Sequence, residues 1–202
     1  MRRGGSNPRS SRPSPPASMA PQAARAKRVR AARPTKPTVA ELVKGERLGV
    51  SVHALVGECL HDGLRHPSPV ELLTRAGRHA LTVDSRNVHR QAAKQALLTT
   101  AAVYFRWFTP PDEWEFLGTE VKAGGCRFDL VWQTAGQVVV DEIKSGAMAV
   151  PGRGGFEPQV ARLIKGGATK YGDAFVGVRV IILAAPALSY LARPGGDREA
   201  LL

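Results

Sequence analysis

The chain has 202 residues, a formal net charge of +12 and only two cysteines. This length is enough for one domain of ordinary size with an added tail. No apolar stretch approaches the roughly 18 residues of a membrane span, and two cysteines are too few for a disulfide framework. These features exclude a membrane-spanning protein and a disulfide-rich secreted domain, so we expect a cytoplasmic protein without membrane contact.

The positive charge is concentrated in the first forty residues, which contain ten basic side chains and no acidic one. The rest of the chain carries nineteen basic and seventeen acidic residues, a balance of only +2. Because the basic segment is also rich in Pro, Ser and Ala, we predict a disordered tail over residues 1–38. Such a cationic arm gains affinity for nucleic-acid backbones by releasing counterions. A solubilising leader and an organelle transit peptide are the open alternatives.

Residues 39–83 predict a helical N-terminal extension. Apolar residues recur at helical spacing from Val50 to Leu64, and Ser68 followed by Pro69 is typical of a helix start. The potential zinc ligands of this region are His53, Cys59, His61 and His66. Their spacings match none of the usual two-pair metal patterns, so we interpret them as ordinary surface or core polar residues. The extension itself is assigned a packing or substrate-shaping role.

Residues 84–192 predict the main folded domain, which opens with a long helix over residues 87–108. A pair of prolines ends this helix. The next run, residues 115–122, predicts the first strand and contains Glu120. The carboxylate of Glu120 could bind a metal ion or only pair with Arg127 on the following strand.

Two apolar runs predict a pair of antiparallel strands, residues 128–132 and 138–140, joined by a tight turn. Side chains alternate along a strand, so Glu142 and Lys144 are expected on one face and Asp141 on the other. The three consecutive valines of the second strand indicate burial on both faces.

The remainder of the domain is predicted to form a glycine-rich loop over residues 145–157, a helix over residues 158–170 and a closing strand over residues 176–184. The loop could fold over a substrate or act as a plain connector. The helix adds three positive charges that suit phosphate contact or a solvated face equally: Arg162, Lys165 and Lys170. The last segment, residues 193–202, is predicted to be frayed.

The two predicted neighbouring strands bring Asp129, Glu142 and Lys144 to one edge of the sheet. Two carboxylates supply hard oxygen ligands for Mg²⁺, and a lysine beside them can orient a water or stabilise extra negative charge. These are the parts that phosphodiester hydrolysis requires. The alternative is an exposed hairpin, in which the Glu142–Lys144 pair would contribute less than about 1 kcal/mol.

These residues resemble the PD-(D/E)XK nuclease superfamily, particularly its RecB-like and Cas4-like branch. There an Asp ends one strand and an acid-x-Lys follows on the next, as Asp129 and Glu142-Ile143-Lys144 do here. The family's helix Gln is matched by Gln159, which would steady the site or contact the substrate. The resemblance covers roughly residues 86–185. It implies an α/β fold with a restriction-endonuclease-like αβββαβ core and a mixed central sheet.

The resemblance also implies a magnesium site, with Mn²⁺ as a substitute metal. Asp129 and Glu142 would hold the ion, with the Ile143 carbonyl as a third protein ligand and Glu120 as a further candidate. Lys144 would position or activate the attacking water. The expected activity is a Mg²⁺-dependent deoxyribonuclease with DNA as its partner.

Two family features have weaker counterparts. The first core helix of many relatives carries an acid or, in RecB-like members, a histidine, whereas residues 86–106 contain no acid and only His89 as a candidate. The family's distal tyrosine is matched only loosely by Tyr171. These departures keep two alternatives open: a catalytically inactive nucleic-acid-binding protein with a nuclease-like fold, and a scaffold or regulatory protein.

Overall fold

The computed structural model describes residues 45–83, 89–146 and 157–202 of the chain. The predicted basic tail and most of the predicted glycine-rich loop lie outside these residues. The described helices are α1 (Gly45–His61), α2 (Pro69–Val83), α3 (Arg90–Trp107) and α4 (Glu157–Tyr171). Among them, none combines the length and the apolar character that a membrane crossing requires.

The described strands are β1 (Glu115–Ala123), β2 (Cys126–Thr134), β3 (Gln137–Lys144), β4 (Phe175–Ile182), β5 (Tyr190–Ala192) and β6 (Arg198–Ala200). They form one sheet in the order β1-β2-β3-β4-β5-β6. β1, β2 and β3 are mutually antiparallel, and β3 runs parallel to β4 because α4 crosses over between them. β5 and β6 extend the sheet as antiparallel strands. The prediction of an α/β fold with a mixed central sheet is confirmed.

The three N-terminal helices pack on one face of the sheet. The inward residues of α1 are fully buried and join α2, α3 and the sheet in one apolar cluster: Val52, Leu55 and Val56. At the start of α2, the backbone N–H of Glu71 donates to the Ser68 hydroxyl at 3.3 Å. The Glu71 carboxylate in turn accepts from the Ser68 N–H at 2.7 Å. This reciprocal capping confirms the helix start that the sequence predicts at Ser68.

Helix α4 packs on the opposite face and contributes to a second apolar cluster with β2, β3 and β4. Two consecutive glycines allow the close approach. A Cβ atom at Gly166 would overlap with the sulfur of Cys126, and one at Gly167 would overlap with the ring of Phe175. The helix and the sheet are therefore fixed against each other at this point.

The C-terminal segment differs from the prediction of a frayed end over residues 193–202. The chain instead turns back through Gly195 and Gly196, at φ of 99° and 98°, to form the β5–β6 pairing. An ion pair between Arg193 and Glu199 supports the turn. The prediction was wrong because strands of three residues are too short to show the alternation by which a strand is recognised.

Candidate metal centre

The candidate centre lies where β2 and β3 separate. Their backbone pairing ends at Leu130 and Asp141. Asp129 is the next residue of β2, and its Oδ2 accepts a hydrogen bond from the backbone N–H of Ile143 at 2.7 Å. The carboxylate thus occupies the position of a strand partner, and its second oxygen, Oδ1, faces helix α1.

Helix α1 brings a histidine to this opening. His53 Nδ1 lies 3.4 Å from Asp129 Oδ1, and His53 Nε2 lies 2.9 Å from the carbonyl oxygen of Ile143. Gly57 permits the approach, because a Cβ atom there would lie 2.7 Å from Cγ2 of Thr119 on β1. An imidazole, a carboxylate and a backbone carbonyl therefore meet at one point, and all three are metal-ligand groups.

The electrostatics of His53 indicate a site prepared for a cation. Burial lowers the pKa of His53, but the hydrogen bond and charge of Asp129, the Ile143 carbonyl and the charge of Glu142 together raise it above the ordinary value. Both ring nitrogens face oxygen acceptors, an arrangement that the doubly protonated imidazolium satisfies. A divalent ion bound to the same groups would replace that proton, since a ligating imidazole must be neutral.

A second polar group lies on the α4 side of β3. Lys144 Nζ donates to Glu142 Oε1 and, at 2.8 Å, to the side-chain oxygen of Gln159. The amide nitrogen of Gln159 donates to the same Glu142 oxygen at 2.7 Å. Burial and the nearby charge of Asp129 raise the pKa of Glu142, although Lys144 acts to lower it. A cation bound at this point would stabilise the ionised form of Glu142 against both the cost of burial and the repulsion by Asp129.

Glu120 approaches the centre from β1. Its φ of 55° is uncommon for a residue other than glycine. One potential ligand atom from each of His53, Glu120 and Asp129 lies within 4.8 Å of the others. The same carboxylate forms an ion pair with Arg127. The cross-strand pair that the sequence left open is therefore present, and the carboxylate also stands beside the metal-ligand groups.

An open cavity of about 430 Å³ borders this cluster between α1 and the β1–β2 pair. His53, Glu120 and Asp129 line it, together with His61 and Arg127. The cavity leaves room for a substrate group beside the carboxylates, with a guanidinium and an imidazole on its wall.

Asp141 lies next to Glu142 in sequence but belongs to a different cluster. Its carboxylate accepts two hydrogen bonds from Arg179 at 2.6 and 2.7 Å, one from Tyr104 at 2.9 Å and one from Trp132 at 3.0 Å. Tyr104 is on α3, whereas Gln159, the partner of Glu142, is on α4. The predicted opposite facing of Asp141 and Glu142 is confirmed.

The structure thus joins Lys144 and Gln159 to Glu142, and it places Asp129 against the Ile143 backbone. It also adds His53, which the sequence analysis interpreted as an ordinary polar residue. The only local signal was its position on α1 beside the inward stripe. That pattern shows which side of a helix faces inward, but not which strand end a side chain meets.

Two other candidates lie elsewhere. His89 is the residue before the first turn of α3, and it belongs to no group of potential metal ligands among the described residues. Tyr171, at the end of α4, packs against Phe128 with the ring centroids 6.3 Å apart. Its surroundings are those of a packing residue, and burial raises its pKa.

Comparisons with protein-family models, curated proteins and solved structures found no match to this chain. What the centre can do follows from its own atoms. His53, Glu120 and Asp129 present an imidazole and two carboxylates within 4.8 Å of one another, and the Ile143 carbonyl contacts the imidazole. Glu142, with the ammonium group of Lys144 and the amide of Gln159, lies on the α4 side of β3, and its charge acts on His53. These are the components of metal-assisted hydrolysis of a charged substrate.

Proposed function

We propose that this protein is a metal-dependent nuclease that hydrolyses DNA phosphodiester bonds through a PD-(D/E)XK site on a restriction-endonuclease-like αβββαβ core. One observation carries the proposal: His53, Asp129 and the Ile143 carbonyl meet at the opening between β2 and β3, with Glu142 and Lys144 on the adjacent residues of β3. The element order from α3 to β4 is that of such a core.

The donor groups fit a divalent cation that prefers oxygen ligands. Asp129, Glu142 and the Ile143 carbonyl offer the oxygens, His53 offers a nitrogen, and Glu120 is a further carboxylate within reach. This set suits Mg²⁺, and its imidazole suits Mn²⁺ at least equally well. When bound, the ion would lower the pKa of a coordinated water and offset negative charge on the phosphate.

The chain's own residues supply the remaining functions. Lys144 is held by Glu142 and Gln159, so its ammonium group is fixed beside the carboxylates, where it can orient a water and stabilise developing charge. Gln159 donates to Glu142 and accepts from Lys144, and it therefore sets the relative position of the two side chains. Asp129 accepts a hydrogen bond from the Ile143 N–H, so it ties β2 to β3 at the residue whose carbonyl contacts His53.

The test is cleavage of linear single-stranded, linear duplex and branched DNA with Mg²⁺ or Mn²⁺. Wild type is compared with Asp129→Asn, Lys144→Ala and His53→Ala. We expect metal-dependent products from wild type and a loss of roughly 10²- to 10³-fold in each variant. Asp173→Asn, which changes an exposed carboxylate on the turn after α4, is the matched control and should cleave normally. Equal cleavage by all five proteins would reject the residue assignment, and no product under any condition would reject the activity.

Titration calorimetry with Mn²⁺ separates activity from binding. Wild type should bind the ion and release protons, whereas His53→Ala and Asp129→Asn should bind it weakly. DNA binding without metal binding would instead indicate an inactive nucleic-acid-binding protein.

A further inference from the structure

We propose that the β1–β2 hairpin and the outward face of α4 form one surface that binds the phosphate backbone of a nucleic-acid strand and leads it into the candidate metal centre. This surface, the basic track, consists of Lys122, Arg127, Arg162, Lys165 and Lys170. The proposal deepens the proposed function, because it names where the flanking part of the substrate lies.

The charge of the basic track is one-sided. Residues 121–128 and 158–172 contain these five basic residues and no acidic one. All five side chains are on exposed residues. Across the part of the chain that the structure describes, no salt bridge joins Lys122, Arg162, Lys165 or Lys170 to a carboxylate. The charge of these four side chains is therefore available to an external anion, whereas Arg127 is paired with Glu120.

Helices α1 and α2 show the opposite arrangement. Residues 45–83 contain four basic and four acidic residues, not counting histidines. There Arg75 pairs with Glu58 and Asp62, and Arg78 pairs with Glu58. Such charges stabilise the packing of the two helices and leave little net field for a polyanion.

The two elements of the basic track are held together rigidly. The hairpin turn at Gly124 meets the backbone of α4, since a Cβ atom there would lie 3.3 Å from Cα of Gly166. Nearby, the ammonium group of Lys170 donates to the carbonyl of Lys122 at 3.0 Å. Because the hairpin and the helix cannot separate without losing these contacts, their charges act as one preorganised surface.

The basic track is continuous with the candidate metal centre through Arg127. This residue lines the 430 Å³ cavity that contains His53 and Asp129. It also lines a second open cavity of about 560 Å³, bordered by residues 122–127 of the hairpin. A strand whose reacting phosphate lies at the carboxylates would therefore pass Arg127 and reach the hairpin.

A phosphodiester chain suits this surface because it carries several negative charges, which several exposed basic side chains can contact at once. The hairpin tip adds accessible backbone, since Gly125 carries no side chain and an added Cβ would meet nothing within 4 Å. Backbone and basic groups that contact phosphates fix the position of a nucleic acid without reading its sequence. We therefore expect binding that is sensitive to salt and indifferent to base sequence.

The test uses two full-length double variants that each lose two positive charges. Arg162→Gln/Lys165→Gln removes charge from the basic track. Arg106→Gln/Arg198→Gln removes the same charge from exposed positions on α3 and β6. Binding to a 20-nucleotide single strand and to a 20-base-pair duplex of two unrelated sequences is measured by fluorescence anisotropy in EDTA, over a range of salt concentrations.

The track variant should lose two phosphate contacts. Its salt slope should fall by about 1.4 for single strands or about 1.8 for duplex, and its affinity near 0.1 M salt by roughly 25- to 60-fold. The control variant should change by less than about twofold. The DNA form on which the track variant shows the loss given for that form, while the control variant does not, is the form that the track takes.

Equal affinities of the two variants on both DNA forms would overturn the proposal. An equal loss of binding to poly-glutamate would also overturn it, because the surface would then be a general anion site. Binding is measured in EDTA without metal, so the result does not depend on cleavage. A track variant that binds DNA weakly while wild type cleaves none would retain the surface and reject the nuclease activity.

Discussion

Asp141 and Glu142 are adjacent residues of one strand, and both are buried, yet their surroundings differ in kind. Asp141 is fully buried and its two oxygens accept four hydrogen bonds, two of them from the fork of Arg179. Glu142 shares Lys144 with a glutamine, and burial and the nearby negative charge of Asp129 outweigh the positive charges of Lys144 and His53 and raise its pKa. The first carboxylate is neutralised within the protein, whereas the second is left with charge that a cation could offset.

This difference separates a carboxylate that the fold satisfies from one that is proposed to bind a metal ion. Burial alone does not separate them, because both side chains are almost inaccessible. The number of hydrogen-bond donors around each carboxylate does separate them. A buried carboxylate with its charge and lone pairs satisfied contributes to the fold, while one that is crowded by like charge indicates a site for a ligand.

The largest effect on stability is expected from Asp141→Ala. This change leaves the guanidinium of Arg179 buried without its partner, so the free energy of unfolding should fall by about 3–5 kcal/mol. Urea denaturation followed by circular dichroism measures it, with Asp173→Ala as an exposed control. A loss below about 1 kcal/mol would contradict the structural role of Asp141.

Glu142→Gln should reverse the pattern. Cleavage of DNA should fall roughly 10²- to 10³-fold because a metal ligand is lost. The free energy of unfolding should stay equal or rise, because burial and the charge of Asp129 raise the pKa of Glu142 and so make its ionised form the less stable one in the folded protein, and Lys144 is still partly exposed to solvent. The comparison between the two residues fails if Glu142→Gln unfolds as readily as Asp141→Ala.

Tyr104→Phe offers a smaller test of the Asp141 cluster. It removes one donor from a buried charged acceptor without leaving a cavity, so a loss of about 1.5–3 kcal/mol in the free energy of unfolding is expected. Cleavage per folded molecule should be unchanged. A selective loss of cleavage would link this cluster to the metal centre and contradict the separation of Asp141 from the proposed site.

The smallest effect concerns pH, where Glu142 and Glu58 should respond in opposite directions. Burial raises the pKa of Glu58, but its hydrogen bonds with His79 and Arg78 outweigh this and lower it. Its stabilising contribution is therefore present above the ordinary pKa near 4.5 and disappears as the pH falls through the lowered value. The raised pKa of Glu142 means that metal-free protein loses stability as the pH rises from near 4.5 through the raised value.

Melting temperatures of Glu58→Gln and Glu142→Gln between about pH 3 and pH 8 check this prediction. Glu58→Gln should reduce the fall in melting temperature on the acid side of the wild-type profile. Glu142→Gln should reduce the fall in melting temperature as the pH rises above about 4.5. Matching changes in both variants would show that the two carboxylates are in equivalent surroundings.

The sequence was sufficient for the parts of the site that depend on strand geometry. Alternation along β3 separated Asp141 from Glu142 and placed Glu142 with Lys144, whereas Asp129, predicted to end a strand, lies within β2. Each of these inferences uses a repeat of two residues within a short segment, and local sterics enforce that repeat. The mixed sheet, by contrast, was an expectation from the family resemblance and not from the apolar runs.

His53 could not be found in this way. Its contact with Ile143 joins residues 90 positions apart, and it depends on how closely α1 approaches β1 at Gly57. No spacing within α1 encodes that approach. The orientation of Glu120 was hidden for a related reason, since its left-handed backbone interrupts the alternation of side chains along β1.

The hydrogen bond from the Ile143 amide to Asp129 has one more consequence. In the proposed function Asp129 is a metal ligand, and it also satisfies the backbone N–H of Ile143, so its removal would expose a buried amide as well as remove the ligand. Asparagine would keep that acceptor and discard the charge. A single Asp129→Asn substitution could thus remove the proposed activity from a related chain and leave its fold intact.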